Sequence, residues 1–111
     1  MTVKRIAALL RPSSLALVGA SDTPGTLGNV VCRNLADSGF QGQVYFVNRA
    51  HETVSGQPAW RSVSELPTVP DLAIVLTPAA TVPDVIDECG RKGIRAAVIV
   101  SAGFREGGAA G

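Results

Sequence analysis

Uninterrupted apolar runs alternate along this chain with stretches in which apolar residues recur at helical spacing. Leu15-Ala16-Leu17-Val18 opens a run ending at Ala20, which reads as a strand covered on both faces. Thr26 to Ser38 follows as a helix with Leu27, Val31 and Leu35 on one stripe, Val30 and Cys32 flanking it, and Gly39 as a left-handed stop. Val44-Tyr45-Phe46-Val47 predicts a second strand, rich in aromatic and β-branched residues. His51 to Pro58 reads as a loop or short edge element, and Ser62-Val63-Ser64-Glu65 has the spacing of a capping box for one helical turn before Pro67.

Leu72-Ala73-Ile74-Val75-Leu76 predicts another buried strand. Thr81 then stands as the cap of a helix with Pro83 and Asp84 in its first turn. Val82, Val85, Ile86 and Cys89 recur at i, i+3, i+4 and i+7, and Arg91, Lys92 and Gly93 close that helix. Ile94 to Val100 holds the last strand. Upstream, Val3, Ile6, Ala7 and Leu10 predict a short helix ended by Pro12.

Strands alternating with helices at this spacing predict an α/β fold: a Rossmann-like, doubly wound parallel sheet. A complete nucleotide-binding unit would continue with another helix and strand, so the sheet is expected to be truncated at its C-terminal end. The expected organisation is one domain over residues 1–106 and a flexible tail or cut linker over residues 107–111.

Composition narrows the function classes. A net charge of +1 with 17% charged residues gives no one-sided basic excess, so no nucleic-acid partner is expected. The segment Arg11-Pro12-Ser13-Ser14 interrupts the early apolar run, and none reaches the roughly twenty apolar residues of a membrane span. A cytoplasmic protein with no membrane association is expected. Cys32 and Cys89, with a single histidine in the chain, lack metal-ligand spacing and read as buried free thiols.

The first strand runs directly into Gly19-Ala20-Ser21-Asp22-Thr23-Pro24-Gly25-Thr26-Leu27-Gly28. A strand, a glycine loop and a helix start aim unpaired N–H groups and roughly half a positive charge at the loop, which suits a phosphate. The glycines Gly19, Gly25 and Gly28 form a longer loop than the GxGxxG of NAD sites. Where NAD sites place a carboxylate on the ribose, this chain has Asn48 and Arg49. A guanidinium there suits an extra ribose phosphate, found at the 2′ position in NADP and the 3′ position in coenzyme A. Residue types alone do not separate these two, although the longer loop counts against NADP.

The segment Arg11-Pro12-Ser13-Ser14-Leu15-Ala16-Leu17-Val18-Gly19-Ala20-Ser21 resembles the opening of the CoA-binding domain of NDP-forming acyl-CoA synthetases, a group related to the succinyl-CoA synthetase alpha subunit and also found fused to protein lysine acetyltransferases. Pro70-Asp71-Leu72-Ala73-Ile74-Val75-Leu76-Thr77-Pro78-Ala79 and Ser101-Ala102-Gly103-Phe104 resemble that family's later motifs, in the same order. The resemblance implies that coenzyme A lies across the carboxyl ends of the strands. Gly19, Ser21, Thr23, Gly25, Thr26, Leu27 and Gly28 would then form the phosphate loop, and Asn48 and Arg49 the ribose-phosphate end. Thr77, Pro78 and Ala79 would flank the adenine or pantetheine arm, and Ser101, Ala102 and Gly103 the pantetheine end. The family has Asn-Pro followed by Lys or Arg after the second strand, whereas here the basic residue stands one position earlier, in Asn48-Arg49-Ala50-His51.

The same resemblance implies a ligase in which the CoA thiol attacks an acyl phosphate at a site completed by ATP-grasp and ligase domains or subunits, in cis or in trans. The chain alone is expected to lack catalytic residues. His51 reads as a surface histidine, Asp84, Asp87 and Glu88 as helix-start and solvent-face acids, and Trp60 and Phe104 as core or rim. Two other readings stay open: an NADP-binding oxidoreductase fragment or redox sensor, and a stand-alone CoA-binding regulatory module. Gly28→Glu is expected to abolish CoA binding without unfolding the domain.

Overall fold

The structure, a computed structural model, describes residues 12–100 of the chain. The helix expected over Val3 to Leu10, the Ser101-Ala102-Gly103-Phe104 motif and the tail lie outside these residues. Six strands form one sheet in the order β3-β4-β2-β1-β5-β6. They are β1 (Ser14–Val18), β2 (Gln43–Val47), β3 (Thr53–Val54), β4 (Gln57–Trp60), β5 (Leu72–Val75) and β6 (Ala96–Ile99), with helices α1 (Leu27–Asp37) and α2 (Val82–Lys92) between them. All pairings are parallel except the β3–β4 hairpin at one edge. The fold is therefore Rossmann-like α/β, with a mostly parallel sheet.

The uninterrupted apolar run of β1 makes it the central strand, since both of its faces must be covered. Leu15, Ala16 and Leu17 are fully buried. Alternation along the strands sends side chains to two cores. Leu15, Leu17, Leu72 and Ile74 pack with Val31, Cys32 and Leu35 of α1. Ala16, Val18, Tyr45, Val47 and Ala73 pack with Cys89 of α2 and with Val63 and Leu66. The helices thus cover opposite faces, as a doubly wound sheet requires.

The helix boundaries follow local chemistry with two corrections. Thr26 caps α1 by accepting from the Asn29 amide at 3.2 Å, and Gly93 ends α2 in the left-handed conformation. Thr81 does not cap α2, because a 3₁₀ turn over Ala79–Thr81 leads straight into the helix and Thr81 donates its hydroxyl to the Pro78 carbonyl. The helical turn at Val63–Glu65 forms, but the Ser62 side chain makes no capping bond there. Among the described residues no helix is long and apolar enough to cross a membrane.

Candidate coenzyme site at the carboxyl ends of the strands

From β1 the chain turns one way to β2 and later the other way to β5, so the loops leaving β1 and β5 diverge at the centre of the sheet. Open α/β sheets bind ligands at such a switch point. A cleft of about 490 Å³ lies there, lined by Gly19 after β1, Asn48 and Arg49 after β2, Arg61 after β4, Thr77 and Pro78 after β5, and residues of α2.

Gly19 ends β1 with φ +98°, a conformation costly to other residues. Its amide donates to the Val47 carbonyl at 2.9 Å, which ties the loop to β2. A side chain at Gly19 would also press on the backbone of Leu76 and Thr77. Asn48 braces the same corner: its side-chain NH2 donates to the Ala20 carbonyl at 2.9 Å, and its side-chain oxygen accepts from the Ala50 and His51 backbone amides at 2.7 and 2.8 Å. Its main contribution is to position these two loops.

The glycine loop divides its residues. Ser21 accepts from the Thr23 amide, and Thr26 both caps α1 and donates to the Thr23 carbonyl at 2.7 Å. Capping leaves the Leu27 and Gly28 amides of the first turn without a loop or side-chain partner among the described residues. Gly25 has φ +86° and open space around its α-carbon. Thr23 lines a second hollow shared with Asp22, Pro24, His51, Glu52 and Thr53. Leu27 packs its side chain against the α1-side core, and Ala79 is exposed at the start of its 3₁₀ turn.

Gly28 requires a correction. It is buried, and a Cβ there would overlap the Gly19 carbonyl oxygen. The residue is glycine so that α1 can close on the end of β1. Gly28→Glu is therefore expected to disrupt the fold, not to remove a ligand from an intact one.

Thr77 places its hydroxyl oxygen out of contact with solvent, with no hydrogen-bond partner among the described residues. Buried hydroxyls are nearly always satisfied, and this orphan belongs to a residue that lines the cleft. On the α2 wall, Glu88 accepts from the Ser64 amide and hydroxyl at 3.2 and 2.7 Å. Burial pushes its carboxyl up, but the hydrogen bonds from Ser64, Ser62 and Val63 outweigh this and hold it below the usual glutamate range. Asp87 pairs with Arg91 at 3.1 Å, as a solvent-face acid should.

Burial raises both thiols, Cys32 and Cys89. Both are free, and among the described residues no cluster of three or more His, Cys, Asp or Glu is placed to hold a metal. Sequence reasoning missed Arg61 because β4 was not recognised as a strand parallel to β2.

Comparison with known proteins decides the family. The profile described as "CoA binding domain" matches residues 13–110. The chain belongs to the CoA-binding domain family. It is 43% identical over 103 residues to acetate–CoA ligase [ADP-forming] I of Archaeoglobus fulgidus, covering 93% of this chain and 15% of that protein. It is 39% identical over 108 residues to the subunit alpha of acetate–CoA ligase [ADP-forming] I of Pyrococcus furiosus, covering 94% and 23%. The acetyl-coenzyme A synthetase 1 of Ca. Korarchaeum cryptofilum, solved with phosphate and ADP, superposes with a TM-score of 0.81 at 37% identity, over 96% of this chain and 23% of that one. The chain thus spans less than a quarter of the length of these relatives. These relatives are acyl-CoA ligases, and the comparisons fit CoA binding rather than NADP-dependent redox chemistry.

Proposed function

We propose that this chain is the CoA-holding domain of an ADP-forming acyl-CoA ligase. The supporting observation is the cleft at the switch point of a CoA-binding-family sheet, bounded by Gly19, Asn48, Arg49 and Thr77. CoA would enter as a substrate, not as a resident cofactor. Its diphosphate would lie near the start of α1, where the Leu27 and Gly28 amides and the helix dipole favour negative charge. The adenosine would extend over the ends of β2 and β4, and Thr77, its side chain turned toward the cleft that it lines, would offer its hydroxyl to a polar atom of the ligand.

The chain's part in the reaction is binding and orientation. The thiol would be presented to an acyl phosphate held by other parts of the enzyme; sulfur bonds to the acyl carbon, phosphate departs and a thioester results. ATP-grasp and ligase domains or subunits would supply the phosphoryl transfer. The subunit alpha of the Pyrococcus furiosus relative gives this division a precedent. Isothermal titration with CoA, acetyl-CoA, NADPH and NADH tests the reading. Binding of CoA and acetyl-CoA with weak or no binding of the nicotinamides is expected; the reverse order would refute it.

A further inference from the structure

The far end of the cleft carries a second guanidinium, contributed by an element that local sequence patterns do not reveal. Strands β2 and β4 run parallel with Phe46 opposite Ala59 and Val47 opposite Trp60. One further rung follows, in which the Asn48 amide donates to the Trp60 carbonyl at 2.9 Å. That rung sets Arg61 opposite Asn48, and Arg49 follows one residue further along, so two cations leave the sheet at its carboxyl edge one step out of register. Both are exposed and both line the cleft. Neither has an ion-pair partner among the described residues.

The acids of the cleft are Asp84 and Glu88, both on α2. Glu88 is engaged by Ser64, at the foot of the 3₁₀ turn that follows β4. The basic lip is therefore supplied by the β2 and β4 ends and the acidic wall by α2.

We propose that Arg61 acts with Arg49 as a two-guanidinium clamp for the ribose-borne phosphate monoester of CoA, which makes Arg61 a specificity-determining residue. The inference rests on the CoA reading above. A phosphate monoester carries roughly −1.5 to −2 charges at neutral pH, more than each phosphate of the diphosphate, and two planar guanidiniums can neutralise it bidentately. The position fits as well, since the adenosine ribose of nucleotides bound to such sheets lies over the end of the second strand. NADP carries the same monoester chemistry at the 2′ position, so the test must separate the two sources.

The test titrates the full chain and its Arg61→Ala and Arg61→Lys variants with CoA, dephospho-CoA and NADPH, with thermal melts confirming that each variant folds. The unaltered chain should prefer CoA to dephospho-CoA by about 100-fold, the worth of two charge-assisted contacts. Arg61→Ala should weaken CoA binding about 10- to 50-fold and leave dephospho-CoA within about twofold, with Arg61→Lys in between because lysine keeps the charge but loses the fork. Equal loss for both ligands, or no loss for either, would overturn the clamp while leaving the CoA reading intact. No CoA binding by the unaltered chain, or tighter Arg61-dependent binding of NADPH, would overturn the CoA reading itself.

Discussion

Gly28, in the first turn of α1, lies so close to the carbonyl oxygen of Gly19, just past β1, that no side chain fits between them. Both partners are backbone, so neither can rotate away. Gly28→Ala should destabilise the domain by about 3 kcal/mol, the upper end of the range for overpacking. For a domain of this size that is a fall in melting temperature of more than about 10 °C. Gly25→Ala offers the contrast, because the space there is open and only φ +86° opposes it. It should cost about 1–2 kcal/mol. Thermal denaturation of the two variants checks the order; equal melting temperatures would mean that helix and strand are not so tightly apposed.

Asn48 should reveal itself as a brace. Asn48→Ala removes one hydrogen bond between the loops after β1 and β2 and two within the loop after β2, and should cost about 1–3 kcal/mol. Asn48→Asp keeps the two acceptor bonds, loses the donor to Ala20 and adds a negative charge beside Arg49. Its stability should suffer less than that of the alanine variant, and its CoA affinity more. Denaturant unfolding combined with calorimetric titration separates the two effects.

The orphan hydroxyl of Thr77 predicts opposite signs for stability and binding. Thr77→Val keeps the shape and removes a buried polar atom without a partner among the described residues. Stability without ligand should rise by about 1 kcal/mol, whereas CoA affinity should fall about tenfold through loss of a ligand contact. Loss of stability together with unchanged affinity would show that the hydroxyl serves the fold alone.

Acid should loosen the link between α2 and the turn after β4. The Glu88 carboxyl is held below its ordinary range in the folded state, so the unfolded chain takes up its proton first as pH falls. The contribution of Glu88 is complete above the ordinary glutamate pKa and is lost as pH drops through the lower, folded value. Glu88→Gln should remove about 1 kcal/mol or less at neutral pH, as expected for a partly exposed group. It should also flatten the stability profile on the acid side. Urea unfolding between neutral and acid pH measures both.

The central strands were legible in the sequence because burial on both faces leaves an apolar run with few alternatives. The runs Leu15 to Ala20 and Leu72 to Leu76 start within a residue of the strands Ser14–Val18 and Leu72–Val75 and overrun their ends by two residues and one. Helices α1 and α2 were legible from their apolar stripes, and Gly93 marked the end of α2 correctly. The β3–β4 hairpin was read only as a loop or edge element. Its strands are short and largely exposed, and its turn depends on Ser55 at φ 54° and Gly56 at φ 73°.

Because β4 pairs with β2, more than ten residues away along the chain, no local pattern could bring Arg61 into the cleft that Arg49 lines. The effect of a side chain at Gly28 was not legible for a different reason: a glycine that admits a phosphate and one that admits a neighbouring backbone leave the same mark in a sequence. The cleft itself gathers Gly19, Asn48, Arg49, Thr77 and Pro78 from the expected site. Ser101, Ala102 and Gly103 fall outside the described residues.

The claim that CoA lies across the carboxyl edge of the sheet is tested most directly by following backbone amide resonances of the isotope-labelled chain during titration with CoA. The largest shifts should fall on Gly19, Leu27, Asn48, Arg49, Arg61 and Thr77, while the outer face of α1, at Arg33 and Asp37, stays still. Saturating CoA that leaves these amides unmoved, or that shifts only residues at the opposite edge of the strands, would contradict the account.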